Sequence, residues 1–158
     1  MRMRTLCRAA VLAACVVLIP QLSFAVDTDD DPEAAKLDPD YAAGKKAIEA
    51  KDWGAAVKWL SSAALRDTRN ADIQNYLGYA YRNAGQMELA FKHYGRALQL
   101  NPRHRGAHEY VGEAYLMVNN LSKAEEHLAA LRTICLIPCE EYEDLQKQID
   151  AYRERVRR

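Results

Sequence analysis

Residues 71–104 read ADIQNYLGYAYRNAGQMELAFKHYGRALQLNPRH. No strand-like alternation of apolar and polar residues runs through this stretch. Asn70 stands where a helix cap belongs, Gly85-Gln86 supplies a polar turn, and Asn101-Pro102 ends the second helical run. The segment reads as a helix, a tight turn and a second, antiparallel helix.

The pattern recurs when the chain is shifted by 34 residues against itself. Gly78 then aligns with Gly44 and Gly112, and Ala90 with Ala56 and Ala124. Leu77 joins Ala43 and Val111, while Tyr94 joins Leu60 and Leu128. Met87 falls with Trp53 and Leu121, each just after a polar turn. A glycine inside a helix costs about 1 kcal/mol relative to alanine, so three at one phase need a compensating contact. Close approach of a second helix supplies one, with Ala56, Ala90 and Ala124 expected opposite the glycine of their own repeat.

These residues resemble the tetratricopeptide repeat family. The middle repeat, residues 71–104, has Leu77-Gly78, Tyr81, Ala90, Tyr94, Ala97 and Pro102 at the family's spacing, with Gln74 in place of its early tryptophan. The first, residues 37–70, keeps Gly44, Ala56, Leu60 and Ala63, with Thr68 for the usual proline. The third, residues 105–138, keeps Val111-Gly112, Tyr115, Ala124 and Leu128, but has Leu131 for a small residue and its proline delayed to Pro138. The resemblance implies an all-α solenoid of three helix-turn-helix repeats with a concave, polypeptide-binding face.

In that family the concave face is lined from fixed positions of each first helix. Carried over, they are Asp38, Tyr41, Ala42, Lys45, Ile48 and Glu49; Asp72, Asn75, Tyr76, Tyr79, Arg82 and Asn83; and Gly106, Glu109, Tyr110, Glu113, Leu116 and Met117. The candidate contacts are Tyr41, Lys45, Asn75, Tyr76, Tyr79, Arg82, Asn83, Tyr110, Glu113 and Met117. Four tyrosines on one face offer apolar area with hydroxyls that want partners, a combination enriched at interfaces. Some family members bind acidic peptide termini through a basic two-carboxylate clamp. Here Glu109 and Glu113 stand where its basic groups would be sought, so the expected ligand is a segment with polar and basic side chains.

Residues 139–158 carry Tyr142, Leu145, Ile149, Tyr152 and Val156 in one apolar stripe at helical period. Acids crowd its start and arginines its end, as the helix dipole favours. A stack of repeats leaves its last apolar face open, and this helix is expected to cap it. Cys135 and Cys139 lie at the corner before it. A disulfide there would pin the cap's entry and contribute roughly 2 kcal/mol.

The chain has 158 residues, with 22 Lys and Arg against 22 Asp and Glu. Its start reads as a signal peptide over residues 1–25: Arg2, Arg4 and Arg8, an apolar run over residues 9–19, then Ser23-Phe24-Ala25 at a cleavage site. The run is too short to span a bilayer, which takes about 20 residues. Leu12-Ala13-Ala14-Cys15 resembles a lipobox, and a lipid anchor at Cys15 is the minority alternative; apolar residues continue past that cysteine, where lipoproteins turn polar. Removing residues 1–25 leaves 19 basic against 22 acidic side chains, net −3, which points away from nucleic acid. Residues 26–36 form an acidic leader too poor in apolar surface to fold alone.

Of the four histidines, His93 and His127 hold one repeat position on different helices, while His104 and His108, able to share a helix face, read as solvated residues at a repeat junction. No zinc-ligand set, nucleophile elbow or phosphate loop is present in the sequence. The expected function is therefore a non-enzymatic, cofactor-free protein-binding module in the periplasm or outside the cell, an adaptor or assembly factor. The alternatives are a self-associating homodimer and, more remotely, a metal or redox carrier using Cys135 and Cys139.

Overall fold

The computed structural model describes residues 38–158. The signal-peptide, lipobox and leader readings lie outside the described residues. Those residues form seven α-helices and no strand: α1 Pro39–Glu49, α2 Trp53–Arg66, α3 Ala71–Asn83, α4 Met87–Leu100, α5 Arg105–Met117, α6 Leu121–Ile134 and α7 Glu140–Val156. The helices pack as pairs, α1 with α2, α3 with α4 and α5 with α6, and α7 closes the stack against α5 and α6.

Polar side chains start the helices where the sequence offers them. Asp38 Oδ1 accepts from the backbone N–H groups of Asp40 and Tyr41 at 2.8 and 2.9 Å. Asp52, Asn70 and Asn120 each accept from the amide three residues on, at 3.0 to 3.1 Å. Each cap satisfies a donor that the helix leaves unpaired and contributes about 1 kcal/mol. The first helix of every pair ends in one shared corner. Lys51, Gly85 and Asn119 take positive φ, at 56, 76 and 59°. Around each, one amide bonds three residues back and the next bonds five back, as with Gly85 to Arg82 and Gln86 to Tyr81. That is the left-handed helix terminator glycine favours, and only the middle repeat supplies glycine.

The core is built from the recurring small residues and their large neighbours. Ala56, Ala90 and Ala124 are completely buried, as are Ala63 and Ala97. The alanines are not what the glycines touch most closely. A side-chain carbon at Gly44 would fall 2.6 Å from Leu60, and one at Gly78 would fall 2.5 Å from the Tyr94 ring. Leu60 and Tyr94 lie one turn beyond Ala56 and Ala90. The alanine lets the helices approach, and the larger side chain on the same face fills the notch.

The third repeat departs from this register. Leu128, the counterpart of Leu60 and Tyr94, is only partly buried. Leu145 of α7 instead enters the notch at Gly112, at 2.6 Å from the position of an added carbon. Leu145 and Ile149 are fully buried and pack with Leu116, Ala124 and Leu131. Leu131, the large residue at a small-residue position, thus meets the capping helix. Across the corner, Cys135 and Cys139 have Cα atoms 5.9 Å apart, while Leu136 and Ile137 between them point outward at 98% and 79% exposure.

Candidate peptide-binding groove

The first helices α1, α3 and α5 lie side by side, so residues spaced three and four apart on each form one continuous face. Aromatic rings run across it. Tyr41 meets Tyr76 edge-on with centroids 5.9 Å apart, and Tyr79 meets Tyr110 at 5.0 Å. Trp53, at the start of α2, reaches Tyr79 at 6.1 Å. Cations sit among the rings: Lys45 Nζ lies 5.5 Å from the Tyr76 centroid, and the Arg82 guanidinium lies 5.1 and 5.6 Å from those of Tyr79 and Tyr110. Aromatic faces attract such charges at this range.

Ten residues on this face were expected to touch a partner, and burial divides them. Tyr41, Asn75 and Arg82 lie beneath the surface, at 4%, 4% and 8% exposure. Tyr41 belongs to the core formed by Leu60, Ile73 and Leu77. Arg82 is spent inside the protein: Nη1 donates to the Tyr110 carbonyl at 3.2 Å and to the Glu113 carboxylate, tying α3 to α5. Tyr41 supports the face from below, while Asn75 and Arg82 lie at the floors of clefts in it. Tyr76, Tyr79, Tyr110, Lys45 and Glu113 are half-buried, and Asn83 and Met117 are exposed. Asn83 donates to the Tyr79 carbonyl at 2.9 Å.

Sequence reasoning missed the wall opposite. The helix α7 contributes Glu140, Glu141 and Asp144 to a cleft of about 530 Å3 that Asp72, Asn75, Tyr76, Glu109 and Tyr110 also line. Farther along, Gln148, Ala151, Tyr152 and Arg155 face Arg82, Asn83, Glu113 and Met117 across a second cleft of about 460 Å3. Glu141, Asp144, Gln148, Ala151 and Arg155 are spaced three, four, three and four apart. That second helical stripe was legible beside the apolar one.

The two clefts differ in charge. In the first, the Glu109 carboxyl is pushed up to about 8, by burial first and then by Glu113, Asp144 and Glu141 nearby. His104 Nε2 lies 2.9 Å from Asp72 Oδ1, and Arg105 Nε lies 3.4 Å from Glu141 Oε1. In the second, Arg82 already neutralises Glu113, and Arg155 stacks on Tyr152 at 5.1 Å.

The histidines are not the solvated set the sequence suggested. His104 is the N-cap of α5, accepting from the Ala107 amide at 3.1 Å. His108 and His127 meet through their Nδ1 atoms at 2.9 Å, and His93 Nδ1 lies 2.8 Å from Gln74 Oε1. Burial lowers the pKa of all three, that of His127 to about 4 with help from His108. Among the described residues no group of three or more His, Cys, Asp or Glu is arranged to hold a metal ion. No described helix is long and apolar enough to cross a membrane.

The profile of the tetratricopeptide repeat family matches residues 71–104, the same segment whose spacing carried the resemblance. A relative from Pyropia yezoensis, Uncharacterized protein ycf37, is 30% identical over 126 residues, covering 72% of this chain and 68% of that protein. The chain is a tetratricopeptide repeat protein. Human Protein O-mannosyl-transferase TMTC3 is also 30% identical, over 93 residues that cover 58% of this repeat protein and only 10% of that one. Two solved structures share the fold at low identity. The TPR2B domain of yeast Sti1, in its pHsp70 complex, superimposes with a TM-score of 0.68 at 19% identity, covering 73% of this chain and 94% of that domain. The Yersinia enterocolitica type III secretion chaperone SycD, in complex with a peptide of the translocator YopD, gives 0.65 at 17%, covering 77% and 92%.

Proposed function

We propose that this tetratricopeptide repeat protein is a non-enzymatic adaptor or assembly factor of the bacterial periplasm that holds a segment of another polypeptide against its tyrosine-lined face. The carrying observation is the half-buried rings of Tyr76, Tyr79 and Tyr110 on the first-helix face, with Tyr76 and Tyr110 lining a cleft whose other bank is α7. Half-buried tyrosines on rigid helices offer contact area at low entropic cost. The Sti1 and SycD structures, each solved with a partner bound, support a peptide-holding role on the same fold. Export rests on the charged, apolar and small-residue order of residues 1–25. An oxidising compartment would keep Cys135 and Cys139 bridged.

Replacing Tyr76 and Tyr79 together by alanine tests the reading. Helical circular dichroism should stay intact, because neither ring is fully buried. Recovery of native partners in a pull-down from the periplasmic fraction should fall at least tenfold. Unchanged recovery removes the groove.

A further inference from the structure

Asn75 sits on α3 at the floor of the cleft between α3, α5 and α7. Its side chain is 4% exposed, and Oδ1 has no hydrogen-bond partner among the described residues. Burying an acceptor without a partner is costly, so such groups call for an explanation. Around it acids outnumber cations. Glu109, Asp144 and Glu140 line the cleft, and none of the three forms an ion pair among the described residues. Tyr76 and Tyr110 add aromatic walls. Arg103 and Arg105 also line it, but Arg105 is engaged with Glu141, and Arg103 reaches the Ile134 carbonyl at 3.4 Å.

We propose that this cleft is a subsite for a lysine side chain of the bound polypeptide, with Asn75 Oδ1 and the Glu109 and Asp144 carboxylates receiving its ammonium group between Tyr76 and Tyr110. An ammonium brings three donors and no acceptor, which suits a pocket of oxygens. The aromatic walls favour a cation further. The inference rests on the groove reading and gives it a ligand chemistry.

Binding should also be proton-linked. Glu109 is faced by Glu113 on its own helix, by Glu141 and Asp144 on α7 and by Arg82 on α3, while His104 and Asp72 stand at the cleft's edge. Burial and these acids hold the Glu109 carboxyl protonated until about pH 8. An arriving ammonium stabilises the carboxylate, so Glu109 gives up its proton on binding and affinity rises with pH through that region.

The probe is acetyl-Gly-Gly-Lys-Gly-Gly-amide, with a norleucine peptide of the same length as its uncharged twin. Each is titrated into the 15N-labelled full chain. The lysine peptide should shift the Asn75 side-chain amide and the Glu109 and Asp144 backbone amides, and the norleucine twin should not. Affinity should be higher at pH 8.5 than at pH 6. The double variant Glu109→Gln/Asp144→Asn should weaken it about tenfold or more, as removal of a charge partner does. Glu88→Gln, an exposed acid on α4, should change nothing. Shifts spread evenly over the acidic surface, or affinity retained by the double variant, overturn the subsite. The groove fails separately: a partner captured regardless of Tyr76 and Tyr79, alongside intact lysine-peptide binding, removes the groove and keeps the cation site. A partner lost with the tyrosines but indifferent to Glu109 and Asp144 does the reverse.

Discussion

The middle and third repeats place one histidine-centred contact at the same register and build it from different partners. In the middle repeat His93 stacks on Tyr81 at 5.2 Å and meets Gln74. In the third, His127 stacks on Tyr115 at 5.7 Å and meets His108. Gln74 and His108 are 34 residues apart, as are Tyr81 and Tyr115. A glutamine oxygen can accept a hydrogen bond at any ordinary pH. A second imidazole can accept only while it stays neutral, so the exchange makes the third repeat's contact the more sensitive to acid, burial lowering the pKa of both His93 and His127. The notch residues differ in the same way. Gly78 faces a rigid ring from its own repeat, and Gly112 faces the flexible end of a leucine from α7.

The largest effect tests the notches. In Gly78→Ala the new carbon lies 2.5 to 2.9 Å from three atoms of the Tyr94 ring, which has no free rotation to escape. Overpacking of that kind costs about 1–3 kcal/mol, against a helix-propensity gain of about 1. Chemical denaturation should show a net loss of up to about 2 kcal/mol. In Gly112→Ala the methyl groups of Leu145 can turn aside, and the net change should stay within about 1 kcal/mol. Equal losses would mean that the two notches are alike.

A smaller effect tests the histidines. The folded protein holds His127 near pKa 4, below the usual 6.5 or so, so between those values the unfolded chain binds more protons. Stability is then fully present above about pH 6.5 and falls as the pH drops towards 4. Partial solvent contact limits the loss to about 1 kcal/mol by pH 5. His108→Gln copies the middle repeat's arrangement and should make that part of the pH profile shallower without abolishing it, since burial still lowers the His127 pKa. A slope unchanged by the substitution assigns no part of it to the histidine pair.

The smallest effect concerns the corners. Lys51 holds a left-handed conformation where the middle repeat has Gly85. Lys51→Gly should raise stability by about 0.5–1 kcal/mol, read as a higher thermal midpoint. Gly85 marked this position in the sequence, and Lys51 and Asn119 share its column, yet neither announces positive φ.

Contacts made along one helix or between neighbouring helices were legible. The bounds of α7 match its apolar stripe and charged ends, and Asp38, Asp52 and Asn70 cap where their residue types suggest. Much of what escaped depends on side chains of different helices meeting, 19 residues apart in the histidine contacts and farther for Arg82. Arg82 reads as a surface cation until Glu113 and the Tyr110 carbonyl, 31 and 28 residues away, enclose it. Leu145 reads as part of a lid, and only the packed structure reveals that it displaces Leu128 from the glycine notch.

The last helix both seals the stack and supplies one bank of the groove. A molecule gripping both banks must therefore hold α7 down, and by mass action it raises the free energy of peeling that helix away. A helix packed on one side only is ordinarily among the easier parts of a domain to open. Slowed amide exchange in Glu140–Val156 would thus report occupancy of the proposed groove, with the sealing helix as its own gauge.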